Sequence, residues 1–265
     1  MIHPNTSKTW MRSTLSVCLL AVATLTGCAV DGEYTDADAS DDTGDALTRD
    51  LGYANANSLF ADSDLEGDQD VSADAVQKVL DGQKGPLGKF TLKGRTAAQI
   101  ITEESIKNRI SPVFMVARIQ TETQLITSAK WTSKIPYATS FGCPGSCNAA
   151  YAGFDVQVAS TAKQFRSYMD NIRAGKYAIN GNTLRTQDYG YLVGRTTKTL
   201  DPLSVKGTGC NVTPTTAATA AIYTYTPYVG RGVTALCKST EPGGFGLQLV
   251  TYKIARGWFG GASKS

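Results

Sequence analysis

The sequence predicts a mainly α-helical protein. Apolar residues recur at helical spacing in six separate stretches, several of these stretches open on capping residues, and few segments alternate with period two.

"SADAVQKVLDG" opens on Ser72, a good N-cap, carries Val76, Val79 and Leu80 on one face, and stops at Gly82. "TAAQIITEESIKNRI" opens with Thr96 and Gln99 at capping-box spacing and runs on through Ile100, Ile101, Ile106 and Ile110. "SPVFMVARIQTETQL" has Ser111 as N-cap and Pro112 at the first helical position. Its stripe runs Met115, Ile119 and then Glu122, with Leu125 and Ile126 just beyond. "DVQVASTAKQFRSYMDNIRAG" reads as a helix from about Asp155, taken as its N-cap, to Gly175, with Val158, Ala162, Phe165 and Met169 in register. In "TPTTAATAAIYTY", Thr213 and Pro214 read as a helix start, and "FGLQLVTYKIARGWF" as the last helix. Together they form one domain of about 170–200 residues, enough for a real core. No internal repeat is visible.

The segments before these helices read differently. Residues 1–27 read as a secretory signal: Lys8 and Arg12 precede an apolar run, Leu15 to Leu25, too short to span a bilayer comfortably. Residues 28–55 are acidic, small and nearly free of large apolar side chains, as a disordered tether is. Residues 56–265 form the folded part. "DSDLEGDQDVSA", Asp62 to Ala73, faintly resembles a calcium-binding EF-hand loop through Asp62, Asp64, Glu66 and Gly67. It has Ala73 where the bidentate Glu belongs, so a solvated acidic turn is expected instead.

Charge is divided along the chain. Residues 28–70 hold 13 Asp/Glu and one basic residue, Arg49, whereas residues 71–265 hold 23 Lys/Arg against 10 Asp/Glu, a net of +13. A basic folded part outside the cytoplasm points to an anionic partner such as cell-wall polymer. Nucleic acid is not expected, because no recognition motif is present and the chain reads as exported. The one histidine, His3, lies in the signal. Its removal excludes Ser-His-Asp and Cys-His catalysis and any His-ligated zinc site. No metal and no cofactor is expected.

Outside the signal and Cys28, the cysteines are Cys143, Cys147, Cys210 and Cys237. Four cysteines in an exported chain are expected to pair, and they allow three connectivities. Two disulfides, Cys143–Cys147 and Cys210–Cys237, are the favoured set. A four-cysteine zinc site is the alternative, and it lacks a second close pair.

Glu122 is the candidate for chemistry. Burial beside Ile119 and Leu125 would raise its pKa, and a carboxyl kept protonated near neutral pH is what a general acid in glycoside cleavage needs. The competing reading is a glutamate at a helix edge that pairs with Arg118 one turn before. Other acids are less suited. Asp74 and Asp170 read as exposed helix residues, Asp201 precedes Pro202 in a turn, and Asp188 has no evident structural task.

Several motifs, in order, carry a resemblance. They are Gln120 to Ser128 around Glu122, "SFGCP" from Ser140 to Pro144, Tyr151 to Phe165, and Ala218 to Tyr228. Over roughly residues 72–260 the chain resembles a bacterial branch of the lysozyme-like superfamily, related to the soluble lytic transglycosylases. The resemblance implies an α-rich fold and cleavage of the β-1,4 glycan strand of peptidoglycan by a single glutamate. That glutamate acts first as acid and then as base, and the product is a 1,6-anhydro sugar. It assigns the catalytic position to Glu122 and a neighbouring hydroxyl to Thr123. Close relatives of the branch tend to read Lys-Glu-Gln there, whereas this chain reads Thr121, Glu122, Thr123. The resemblance further places Gly142, after Phe141, in a loop that approaches the sugar. Tyr223 falls where the family has a Tyr hydrogen-bonded near the glutamate, Tyr225 and Tyr228 fall along the cleft, and Gln157 and Gln164 fall at recurring glutamines. Tyr223 and Tyr225 cannot both face one side of a helix.

"LTGC", Leu25 to Cys28, resembles the lipobox of bacterial lipoproteins, which implies lipidation of Cys28 and a membrane anchor. Ala29 after it suits the outer membrane. The alternatives are an ordinary signal with a chance cysteine, a hydrolase acting on peptidoglycan or chitin-like polymer, and a wall-binding lipoprotein without turnover.

Overall fold

The computed structural model describes residues 56–143, 146–176, 190–199, 211–226 and 244–260; for 244–250 it describes the backbone. Cys28, Asp188, Asp201, Cys210, Tyr228 and Cys237, singled out above, lie outside the described residues, as do residues 1–27 and 28–55.

The described chain is mainly helical. Its helices are α1 (Asp62–Glu66), α2 (Ala73–Asp81), α3 (Ala97–Lys107), α4 (Pro112–Thr123), α5 (Phe154–Arg173), α6 (Ala217–Tyr225) and α7 (Gly244–Trp258). Two antiparallel pairs of two-residue strands, Thr91–Leu92 with Arg95–Thr96 and Thr197–Lys198 with Asn211–Val212, are the described sheet structure. Among the described residues, no helix is long and apolar enough to cross a membrane.

Three of the caps read from sequence are present. Ser72 Oγ accepts from Ala75 N–H, Thr96 and Gln99 form a reciprocal capping box, and Ser111 Oγ accepts from Phe114 N–H with Pro112 at N1. Two helix starts need correction. The cap of α5 is Gly153, at φ +124°, not Asp155. Asp155 lies in the first turn, where it accepts from Val156 N–H and pairs with Lys93 Nζ at 2.9 Å. Helix α6 starts after Thr216, whose hydroxyl accepts from Thr219 N–H, rather than at Thr213–Pro214. A 3₁₀ segment, Ala129–Tyr137, follows α4.

Helix α4 is the centre of the molecule. Every residue from Pro112 to Ile119 is buried, so it is covered on all sides and is not the amphipathic helix its periodicity suggests. Helix α7 packs along it, α3 packs on α2, α4 and α5, and α6 packs on α5. Phe60, Phe114, Phe165 and Tyr252 fill the interior between them.

The acidic stretch expected to be a solvated turn is instead a clip. Its residues 62–66 form α1, and its side chains hold distant helices. Asp62 accepts from the Ala218 N–H in the first turn of α6 at 2.8 Å and pairs with Arg173 at 2.8 Å. Glu66 pairs with Arg173 at 2.6 Å and with Arg166. Asp64 accepts from the Tyr252 hydroxyl at 3.1 Å. Asp68 takes Arg256 at 2.5 Å and the Ser111 hydroxyl at 2.8 Å. The oxygens that an EF-hand would turn to calcium are thus spent on α5, α6 and α7. Burial pushes the Glu66 carboxyl up, but hydrogen bonds and charge from Arg173 and Arg166 outweigh it and hold it below the ordinary glutamate value.

Candidate active site

Glu122 lies in the last turn of α4, where the helix leaves the core. Gln124 closes the helix in the left-handed region, at φ +58°, and is exposed. The Glu122 side chain is 21 % exposed, whereas that of Arg118, one turn earlier, is 0 % exposed. Arg118 Nη1 stands 2.5 Å from Glu122 Oε1. The contact is close, but it lacks hydrogen-bond geometry, and no Arg118 nitrogen has a hydrogen-bond partner among the described residues. The guanidinium also lies over the Tyr225 ring, with Cζ 3.9 Å from the centroid. This corrects the expected environment of Glu122. Burial among Ile119 and Leu125 is not its setting; a buried arginine holds it at the helix end.

Thr123 points the other way. It is buried, and its hydroxyl lies 2.9 Å from both the Ile119 and the Ala138 carbonyls, to either of which it can donate. It ties the end of α4 to the chain at residue 138, which corrects the expectation of a hydroxyl presented to a ligand.

Gln157, expected to bind substrate, is likewise consumed internally. It is fully buried on the first turns of α5. Its Nε2 donates to the carbonyls of Phe141 at 2.9 Å and Tyr151 at 2.7 Å. Its Oε1 accepts from Phe141 N–H at 2.9 Å, Thr139 N–H at 3.3 Å and the Thr139 hydroxyl at 3.0 Å. One amide therefore ties Thr139, Phe141 and Tyr151 to α5. Thr161, one turn along, joins it through Thr139 at 2.7 Å.

Gly142 lies in this loop at φ +72°, and a Cβ there would run into the Tyr151 ring. Its conformational freedom serves the packing of Tyr151, which meets Phe141 edge-on at 4.9 Å between centroids. Cys143 and Cys147 are joined beside it, S–S 2.18 Å. Gln164 lies two turns beyond Gln157 on the same face of α5 and is half-buried.

The two tyrosines of α6 divide as helical geometry requires. Tyr223 is buried, donates to the Ala56 carbonyl at 2.7 Å and stacks on Tyr191. Burial, with Tyr191 adding, raises its phenol well above the usual value, so it stays neutral. Tyr225, rather than Tyr223, reaches the Arg118–Glu122 pair. Tyr223 is thus not beside Glu122, where it was expected; Tyr225, two residues on, packs against Arg118.

Sequence reasoning missed Trp131. Its ring is half-buried beside α4, its Nε1–H donates to Gln124 Oε1 at 3.3 Å, and Lys134 Nζ sits 4.1 Å from its centroid. Asp74 and Asp170 are exposed as expected, and Asp170 pairs with Arg166 at 2.6 Å. Among the described residues, no cluster of His, Cys, Asp or Glu comes together of the size a metal ion needs. A groove of about 400 Å³ lies elsewhere, between the ends of α2 and α7, with Lys78, Gln83, Trp258 and Phe259 in its walls.

No protein-family model matches the chain, and no curated protein or solved structure matches it at the level that marks a relative.

Proposed function

We propose that this chain is a lysozyme-like enzyme that cleaves the β-1,4 glycan strand of peptidoglycan, with Glu122 as its acid and then its base. One observation carries the reading: a helix buried from Pro112 to Ile119 ends in a partly exposed carboxylate, held from behind by a fully buried arginine. Buried charges are costly, and such arrangements concentrate at functional sites. Trp131, next to Gln124, gives this helix end an aromatic face on which a sugar ring can stack.

The chemistry needs one carboxyl group. Glu122 gives its proton to the glycosidic oxygen as the C1–O bond breaks. The substrate's own C6 hydroxyl then attacks C1, and Glu122 takes its proton back. The product carries a 1,6-anhydro ring and no water is consumed. The basic charge of residues 71–265 holds the enzyme on its anionic substrate. Lipidation of Cys28 would anchor it to a membrane, with residues 28–55 giving reach; a Cys28→Ala variant that fractionates as before would remove the anchor from this account.

The contact with Arg118 favours a second reading, a wall-binding protein without turnover, because it gives Glu122 a structural task of its own. Mass spectrometry of material released from purified sacculi separates the two. Anhydro-ended fragments support the transglycosylase and reducing ends a hydrolase. Binding without release leaves the non-catalytic protein.

A further inference from the structure

The proposed reaction gives Arg118 no step of its own, yet its charge is costly to keep. Its guanidinium is fully buried, and burying such a charge is unfavourable unless charge and hydrogen bonds compensate. Compensation here comes from two contacts only among the described residues: the Glu122 oxygen at 2.5 Å and the Tyr225 face at 3.9 Å. Tyr225 is in turn held by Phe165, at 5.4 Å between centroids, and Phe165 by Phe114, at 4.9 Å. A continuous chain of ring contacts therefore runs from Phe114 of α4 through α5 and α6 back to Arg118 of α4, and it ends on the carboxyl group of Glu122.

We propose that Arg118, clamped on the face of Tyr225, is a positioning residue that fixes the direction of the Glu122 carboxyl group. The inference rests on the reading of Glu122 as the acid and base. A guanidinium suits the task, since one group can pack over an aromatic ring and touch a carboxylate at the same time. Its charge also meets the carboxylate that remains once Glu122 has given up its proton, without reorganisation at that moment. A lysine ammonium keeps the charge but has no plane to clamp.

The test compares Arg118→Lys, Tyr225→Phe and Tyr225→Leu with wild type on soluble glycan strands stripped of peptide, with a melting curve for each. Arg118→Lys is expected to lose kcat about tenfold or more while KM stays within about twofold, as befits a group felt in the transition state and not in binding. Tyr225→Phe keeps the ring face and is expected to lose less kcat than Tyr225→Leu, which loses it as Arg118→Lys does. Full kcat in Arg118→Lys overturns the clamp and leaves a merely structural charge. Equal losses in Tyr225→Phe and Tyr225→Leu overturn it too, since the hydroxyl would then be what matters. Wild type that cleaves no strand overturns the glycan reading itself, and the clamp falls with it.

Discussion

Replacing Gln157 by leucine should unlock the loop from Thr139 to Tyr151 and cost the fold more than any other change of similar volume near the candidate site. Leucine matches the size of glutamine but offers no polar atom. Four backbone groups lose their partner: the N–H groups of Thr139 and Phe141 and the carbonyls of Phe141 and Tyr151. A typical hydrogen bond contributes about 1 kcal/mol net, and a buried group left unpaired costs about 1–3 kcal/mol. Part of the loop can reach water, so the lower end applies, and the expected loss is roughly 3–5 kcal/mol. For a domain of this size that lowers the melting temperature by roughly 6–20 °C. Urea unfolding followed by circular dichroism measures it as a fall in midpoint at unchanged slope. A loss under about 1 kcal/mol would refute the reasoning, because it would mean that water replaces the glutamine or that the loop holds without it.

Two further outcomes follow from the geometry. Glu66→Gln should lower stability at pH 7 by roughly 1–3 kcal/mol. The folded carboxyl lies below its ordinary value, so its contribution is present above about pH 4.3 and disappears as pH falls through the folded value. Wild type and variant should therefore converge on acidification, and a gap that does not narrow as pH falls below about 4.3 would contradict the assigned charge pairing. Gly142→Ala should cost roughly 2–3 kcal/mol from its left-handed backbone and its collision with Tyr151. Adding Tyr151→Ala should recover part of that loss, and strict additivity of the two changes in melting experiments would show that the ring is not the obstacle.

What was legible in the sequence is what local physics decides. Ser72, the Thr96–Gln99 pair and Ser111–Pro112 cap helices through atoms three residues away, so their spacing alone reveals them. The start of α5 was misread because it rests on a glycine at φ +124°, a backbone conformation that leaves no trace in a pattern of polar and apolar residues. The acidic clip was hidden for another reason: Asp62 and Asp68 find their partners more than 100 residues along the chain, and only the folded state supplies them. The same holds at the candidate site. Glu122 and Arg118 share a helix, and their pairing was visible as an alternative. That Arg118 is wholly buried, and that Thr123 and Gln157 spend their polar atoms inside the protein, depends on loops and helices closing around them. The choice of Tyr225 over Tyr223 follows from which face of α6 meets α5, which helical spacing limits to one of the two and does not decide.

The central claim is that Glu122 cleaves glycan. The most direct measurement is the rate at which wild type and Glu122→Gln release anhydro-ended fragments from the same sacculi, with sacculus binding followed in parallel. Losing a group that serves as acid and base should lower release by about 10²–10⁴-fold while binding is kept. Release by Glu122→Gln at the wild-type rate would contradict the account and leave Glu122 as the partner of a buried arginine and nothing more.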